Sequence, residues 1–89
     1  METKEQVEFS LDELLVEQRD LIVYNDDFNT FDHVIDSLIK ICDHHPLQAE
    51  QCALIVHNNG KCQVKRGDYD ILASMCTALH ERGISAEVE

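Results

Sequence analysis

Eighty-nine residues make one domain, which buries only about 60% of the surface its unfolded chain exposes. Seven Lys plus Arg against eighteen Asp plus Glu give a formal net charge of −11, a field that repels phosphate backbones and anionic lipid and argues against nucleic acid and membranes as partners. The opening METKEQVEFS has no basic region followed by an apolar run, no stretch approaches the roughly 18 apolar residues of a membrane span, and Cys42, Cys52, Cys62 and Cys76 form no C-x-x-C pair, so a cytoplasmic protein with reduced thiols is expected.

Composition changes once, near Asp20. The acid-rich stretch before it reads as a flexible tail (1–19), the remainder as the core domain (20–89), although "SLDE" at Ser10–Glu13 has the form of a helix-capping box. "LIVY", Leu21–Tyr24, is apolar, β-branched and followed at once by turn residues, which predicts the first strand. Asn29 stands at an N-cap position with Asp32 three residues on, and Phe31, Val34, Ile35, Leu38 and Ile39 share one helical face, which predicts a first helix ending near Cys42. Pro46 suits the first position of a second helix reaching His57, stopped by "NNG" at Asn58–Gly60. "KCQVK", Lys61–Lys65, alternates as a half-buried strand. Asp68 caps a third helix carrying Ile71, Leu72, Met75, Cys76 and Leu79, Gly83 ends it, and Ile84–Val88 alternates again. The expected class is α+β in the order β-α-α-β-α-β, a small three-stranded antiparallel sheet packed against three helices.

"YNDDFNTFDHV", Tyr24–Val34, concentrates oxygen acceptors between a strand and a helix. Calcium does not suit them: counted from Asp26, the sixth and twelfth positions of an EF-hand loop fall on Phe31 and Ser37, not Gly and Glu. Cys42, His44 and His45, with His57, match no standard zinc spacing. Nothing marks a nucleophile on a strained turn with an orienting partner, so the chain reads as non-enzymatic and without a cofactor. What remains is a strand-end cluster, Asn25, Asp26 and Asp27, and a helix-ending histidine, His57. The plainer account of these residues is an Asx-turn and helix cap at Asp26, Asp27 and Asn29, a dipole-favoured His57, and core packing at Phe31, Val34 and Val56.

Two separated motifs, "NDDFNTFDHVI" and, about twenty-five residues later, "LIVHNNGK", resemble those of the ClpS family, bacterial adaptors that hand N-degron substrates to a Clp ATPase-protease; the likeness runs from Leu21 to about Val88. The resemblance implies capture of a peptide's free N-terminus, with Asn25, Asp26, Asp27 and His57 holding the α-ammonium. It also implies a pocket of Asn29, Phe31, Val34, Ala53 and Val56, closed by Ile84, that takes a large first side chain (Leu, Phe, Tyr or Trp). It further implies a partner in the N-terminal domain of a ClpA- or ClpC-like ATPase, docked on a surface that includes Asp70, and a tail needed for delivery. Where many members carry Met at two pocket positions, this chain has Phe31 and Ala53; where they carry a docking Lys, it has Met75. Two other readings stay open: a protein-interaction domain of the same fold without N-terminus capture, and a small metal-binding protein using Cys42, His44, His45 and His57.

Overall fold

In a computed structural model, which describes residues 17–89, the chain runs β1 (Arg19–Tyr24), α1 (Phe31–Cys42), α2 (Pro46–Asn59), β2 (Lys61–Gly67), α3 (Tyr69–Glu81) and β3 (Ala86–Val88). The stretch containing "SLDE" lies outside the described residues. β1 is the central strand, antiparallel to β2 on one side and β3 on the other. Val23 faces Cys62 and Ala86 across the two ladders, and Leu21 faces Val88. A bulge between Leu21 and Ile22 shifts the β2 partner from Lys65 to Gln63.

Side chains alternate along a strand, so one sheet face collects Leu21, Val23, Cys62 and Ala86 and packs against the helices. The helices answer with Leu38, Cys42, Ala49, Val56, Leu72, Cys76 and Leu79. The other face is open, with Gln63 and Glu87 exposed on either side of a half-buried Ile22. No Phe or Tyr among the described residues belongs to this core; Phe28, Phe31 and Tyr69 are exposed. Aromatic surface is thus left for other uses. No helix among the described residues is long and apolar enough to cross a membrane.

The helix ends carry most of the local corrections. Thr30, not Asn29, caps α1, its hydroxyl accepting from the His33 N–H at 3.1 Å. The Asn29 amide instead donates to Asp26 and to the Gly83 carbonyl. Pro46 opens α2 behind His45, whose Nδ1 accepts from the Leu47 N–H. Gly60, at φ 91°, closes α2 by donating to the Val56 carbonyl, a left-handed conformation that costs glycine little. β2 runs two residues past Lys65 to Gly67, and β3 starts only at Ala86.

Candidate functional site

The turn at Gly60 positions the site, because its carbonyl accepts from the Asn25 N–H at 2.8 Å and so ties the end of β1 to the end of α2. Between the β1–α1 loop and α2 lies a cleft of about 490 Å³. Asn25, Asp26, Asp27, Asn29 and Thr30 line it from the loop, Phe31 and Val34 from α1, and Ala53, Leu54, Val56 and His57 from α2. The walls are divided. Acceptors gather at the loop end, while Val34, Ala53 and Val56 form an apolar floor, with Ala53 and Val56 buried and Phe31 half-exposed at the mouth.

Asp26 and Asp27, adjacent and chemically identical, have different work. Asp26 Oδ1 accepts from the N–H groups of Phe28 at 3.0 Å and Asn29 at 2.9 Å, and Oδ2 from Asn29 Nδ2 at 2.7 Å. Burial opposes the charge, but these donors outweigh it and hold the carboxyl below its ordinary range. Three protein N–H groups thus bond the Asp26 carboxylate. Asp26 therefore serves as an anchor of the loop. Asp27 is exposed and lines the cleft, with no partner for its carboxylate among the described residues.

His57, in the last turn of α2, meets the Phe31 ring edge-on with centroids 6.0 Å apart. Its ring nitrogens have no hydrogen-bond partner among the described residues, and the residue lines the cleft. Asn25, Asp27 and His57 thus make an acceptor set at one end of an apolar trough. Asn29 lines the cleft, and its Nδ2 is committed to Asp26 and to the Gly83 carbonyl at 2.8 Å.

Ile84 is not a wall of this cleft. With Gly83 at φ 79° and the Ile84 N–H on the Leu79 carbonyl, the turn sends that side chain into the core, 2% exposed. It borders a separate, more open hollow of about 600 Å³ with Tyr24, His80 and Ser85. That hollow lacks the division into acceptor end and apolar floor. Leu54 and Thr30 line the cleft without having been singled out from the sequence. Periodicity alone does not single out Leu54, because α2 carries apolar residues round its whole circumference, with Leu47, Leu54 and Ile55 exposed. Asp70 lies exposed in the first turn of α3, outside the cleft, and Met75 packs half-buried against the core.

The four residues considered for zinc are used separately. Cys42 is in the core, His44 donates Nε2–H to the Val64 carbonyl at 2.6 Å, His45 caps α2, and His57 faces the cleft. No group of three or more His, Cys, Asp or Glu among the described residues comes together as a metal site. Burial pushes the Cys42 thiol up to about 11 and raises Cys62 and Cys76 as well, so these thiols stay protonated and unreactive at neutral pH.

A family model described as the ATP-dependent Clp protease adaptor protein ClpS matches residues 17–87. The chain belongs to the ClpS family. A comparison with curated protein sequences gives no match. Among solved structures, the fold is similar to that of Agrobacterium tumefaciens ClpS2 bound to L-phenylalaninamide. The TM-score is 0.72 at 18% identity, with 83% of this chain and 99% of that one covered. At that identity the likeness concerns the fold, and it makes the described β-α-α-β-α-β core a ClpS core. ClpS is an adaptor family of the Clp protease system and not a family of enzymes.

Proposed function

We propose that this ClpS-family adaptor captures the free N-terminus of proteins that begin with a large hydrophobic residue and delivers them to a Clp ATPase-protease. The observation that carries the reading is the acceptor set of Asn25, Asp27 and His57 at one end of a cleft floored by Val34, Ala53 and Val56. An α-amino group with a pKa of about 7.7–8.0 is mostly an ammonium at neutral pH and offers three charged donors. Hydrogen bonds of that kind contribute about 1.5–3 kcal/mol each, and an internal peptide segment leaves the same acceptors desolvated and unpaired. Burying a large apolar side chain on the floor adds roughly 1.5–3 kcal/mol. Association entropy offsets much of the sum, which suits an adaptor that must also let go.

The ligand of Agrobacterium tumefaciens ClpS2 supports this reading, since L-phenylalaninamide presents an α-amino group and a benzyl side chain. For delivery, the exposed Asp70 on α3 is the proposed contact with the N-terminal domain of a ClpA- or ClpC-like ATPase. The acid-rich segment 1–19 is proposed to act after capture. Titration calorimetry with peptides differing only in the first residue tests the capture step. Phe, Leu, Tyr and Trp are expected to bind and Asp, Ser and Lys not; indifference to the first residue contradicts the proposal.

A further inference from the structure

Asn29 lies in the cleft wall, yet its strongest contacts point away from any ligand. Both Nδ2 hydrogens are committed, one to Asp26 Oδ2 at 2.7 Å and one to the Gly83 carbonyl at 2.8 Å, 54 residues along the chain. Its backbone N–H adds a third bond, to Asp26 Oδ1 at 2.9 Å. One side chain therefore joins the anchor of the capture loop to the turn between α3 and β3.

That turn is itself clamped onto α1. Arg82 donates Nε–H to the Ser37 hydroxyl at 2.7 Å and a guanidinium N–H to Asp36 at 2.7 Å, while its carbonyl accepts from His33 Nε2 at 2.8 Å. Ser37 is fully buried, and its hydroxyl donates onward to the His33 carbonyl at 2.7 Å. The turn is thus a fixed point, and Asn29 passes that fixity to Asp26. Asp26 in turn stands between Asn25 and Asp27, the two loop acceptors of the cleft.

We propose that Asn29 is a positioning residue for N-terminus capture: by holding Asp26 against Gly83 it sets where Asn25 and Asp27 stand, and it makes no bond of its own to the ammonium. The inference rests on the capture reading above and adds a residue whose donors, not its acceptor, matter. It also extends the machinery of the cleft to Arg82, which does not touch it.

The isosteric exchange Asn29→Asp separates this role from a direct one, because the two predict opposite signs. Without Nδ2–H donors, oxygen faces oxygen at Asp26 and Gly83, so affinity for a free-amine, Phe-first peptide falls about tenfold or more, as far as in Asn29→Ala. As pH falls toward 5, the ratio to wild type recovers, because the added carboxyl, raised by its neighbour Asp26, takes up a proton and becomes a donor. Arg82→Ala weakens the same binding severalfold in the wild-type background and adds nothing in the Asn29→Ala background. Anisotropy with free-amine and N-acetylated peptides, alongside thermal melts, reads all of these. Tighter or unchanged binding by Asn29→Asp overturns the proposal, as do additive effects of Arg82→Ala and Asn29→Ala. Loss of a cooperative melt in both Asn29 variants makes Asn29 a residue of the fold and overturns it too. A wild-type protein that binds both peptides equally overturns instead the capture reading on which this stands.

Discussion

The Phe31 ring stands edge-on to the His57 imidazole, centroids 6.0 Å apart and planes at 61°. This contact joins the first residue of α1 to the last turn of α2 across the mouth of the cleft. Aromatic pairs at such separations contribute about 0.5–1.5 kcal/mol beyond the area they bury. The ring that narrows the mouth thus also steadies the histidine proposed to take the ammonium, so wall and ligand change together.

From this contact follows the first prediction. A stiff ring at Phe31 opposite the small Ala53 obstructs bulk at Cβ, so Phe-first and Leu-first peptides bind best and Ile and Val are rejected. Phe31→Ala admits Ile and Val with a tens-fold shift in relative affinity, the scale of about 1–3 kcal/mol that apolar pockets discriminate. Ala53→Met fills the floor and costs Phe and Trp more than Leu. Titrations against a first-residue series check both variants, and an unchanged order of preference contradicts the assignment.

Adjacent carboxylates give the second prediction. Asp27→Ala and His57→Ala leave the melting temperature in place and weaken peptide binding about tenfold or more, since each removes an acceptor for a charged donor. Asp26→Ala instead lowers stability by about 1–3 kcal/mol, because three donors lose their partner. Thermal melts beside binding curves distinguish the two patterns.

Acid brings out the same anchor. The folded-state pKa of Asp26 is depressed, so its contribution to stability is complete above the ordinary carboxyl value near 3.8 and is lost as pH falls through the lower folded value. Asp26→Asn lacks that dependence. The gap in melting temperature between wild type and Asp26→Asn is therefore constant from pH 7 to 5 and closes below about 4. A gap that widens in acid contradicts the assignment.

For delivery, removal of Met1–Ser10 is predicted to leave peptide affinity unchanged and to slow degradation of an N-degron reporter by the cognate ATPase-protease. A truncated protein that delivers at the full rate contradicts a role for that segment.

Much of the fold was legible because its signals are local. Pro46 and Gly60 punctuate α2, and one-face spacing from Phe31 to Ile39 marks α1. What escaped were choices made by distant partners. Asn29 and Thr30 are both good caps; Thr30 takes the role, while the Asn29 amide donates to the Gly83 carbonyl, 54 residues on. Asp26 and Asp27 are indistinguishable as letters; the N–H groups of Phe28 and Asn29 converge on the first and leave the second open. Ile84 fits an alternating strand, but the turn after α3 directs its side chain to the core and away from the cleft. Leu54 was hidden because a helix apolar on every side has no face that periodicity alone assigns to a ligand.

Capture of an ammonium is the centre of this account, and chemical removal of the charge tests it most directly. Two fluorescent peptides of one sequence beginning with Phe, one with a free N-terminus and one N-acetylated, are titrated with the wild-type protein by anisotropy at pH 7, and the free peptide again up to pH 10. The free peptide is predicted to bind and the acetylated one to lose at least about a hundredfold, since the charge, two of the three donors and the fit at Asn25, Asp27 and His57 go together. Binding of the free peptide persists below its α-amino pKa of about 7.7–8.0 and declines as pH rises through the higher value it takes in the complex. Equal affinity for the acetylated peptide, or affinity for the free one that is flat to pH 10, would contradict ammonium capture.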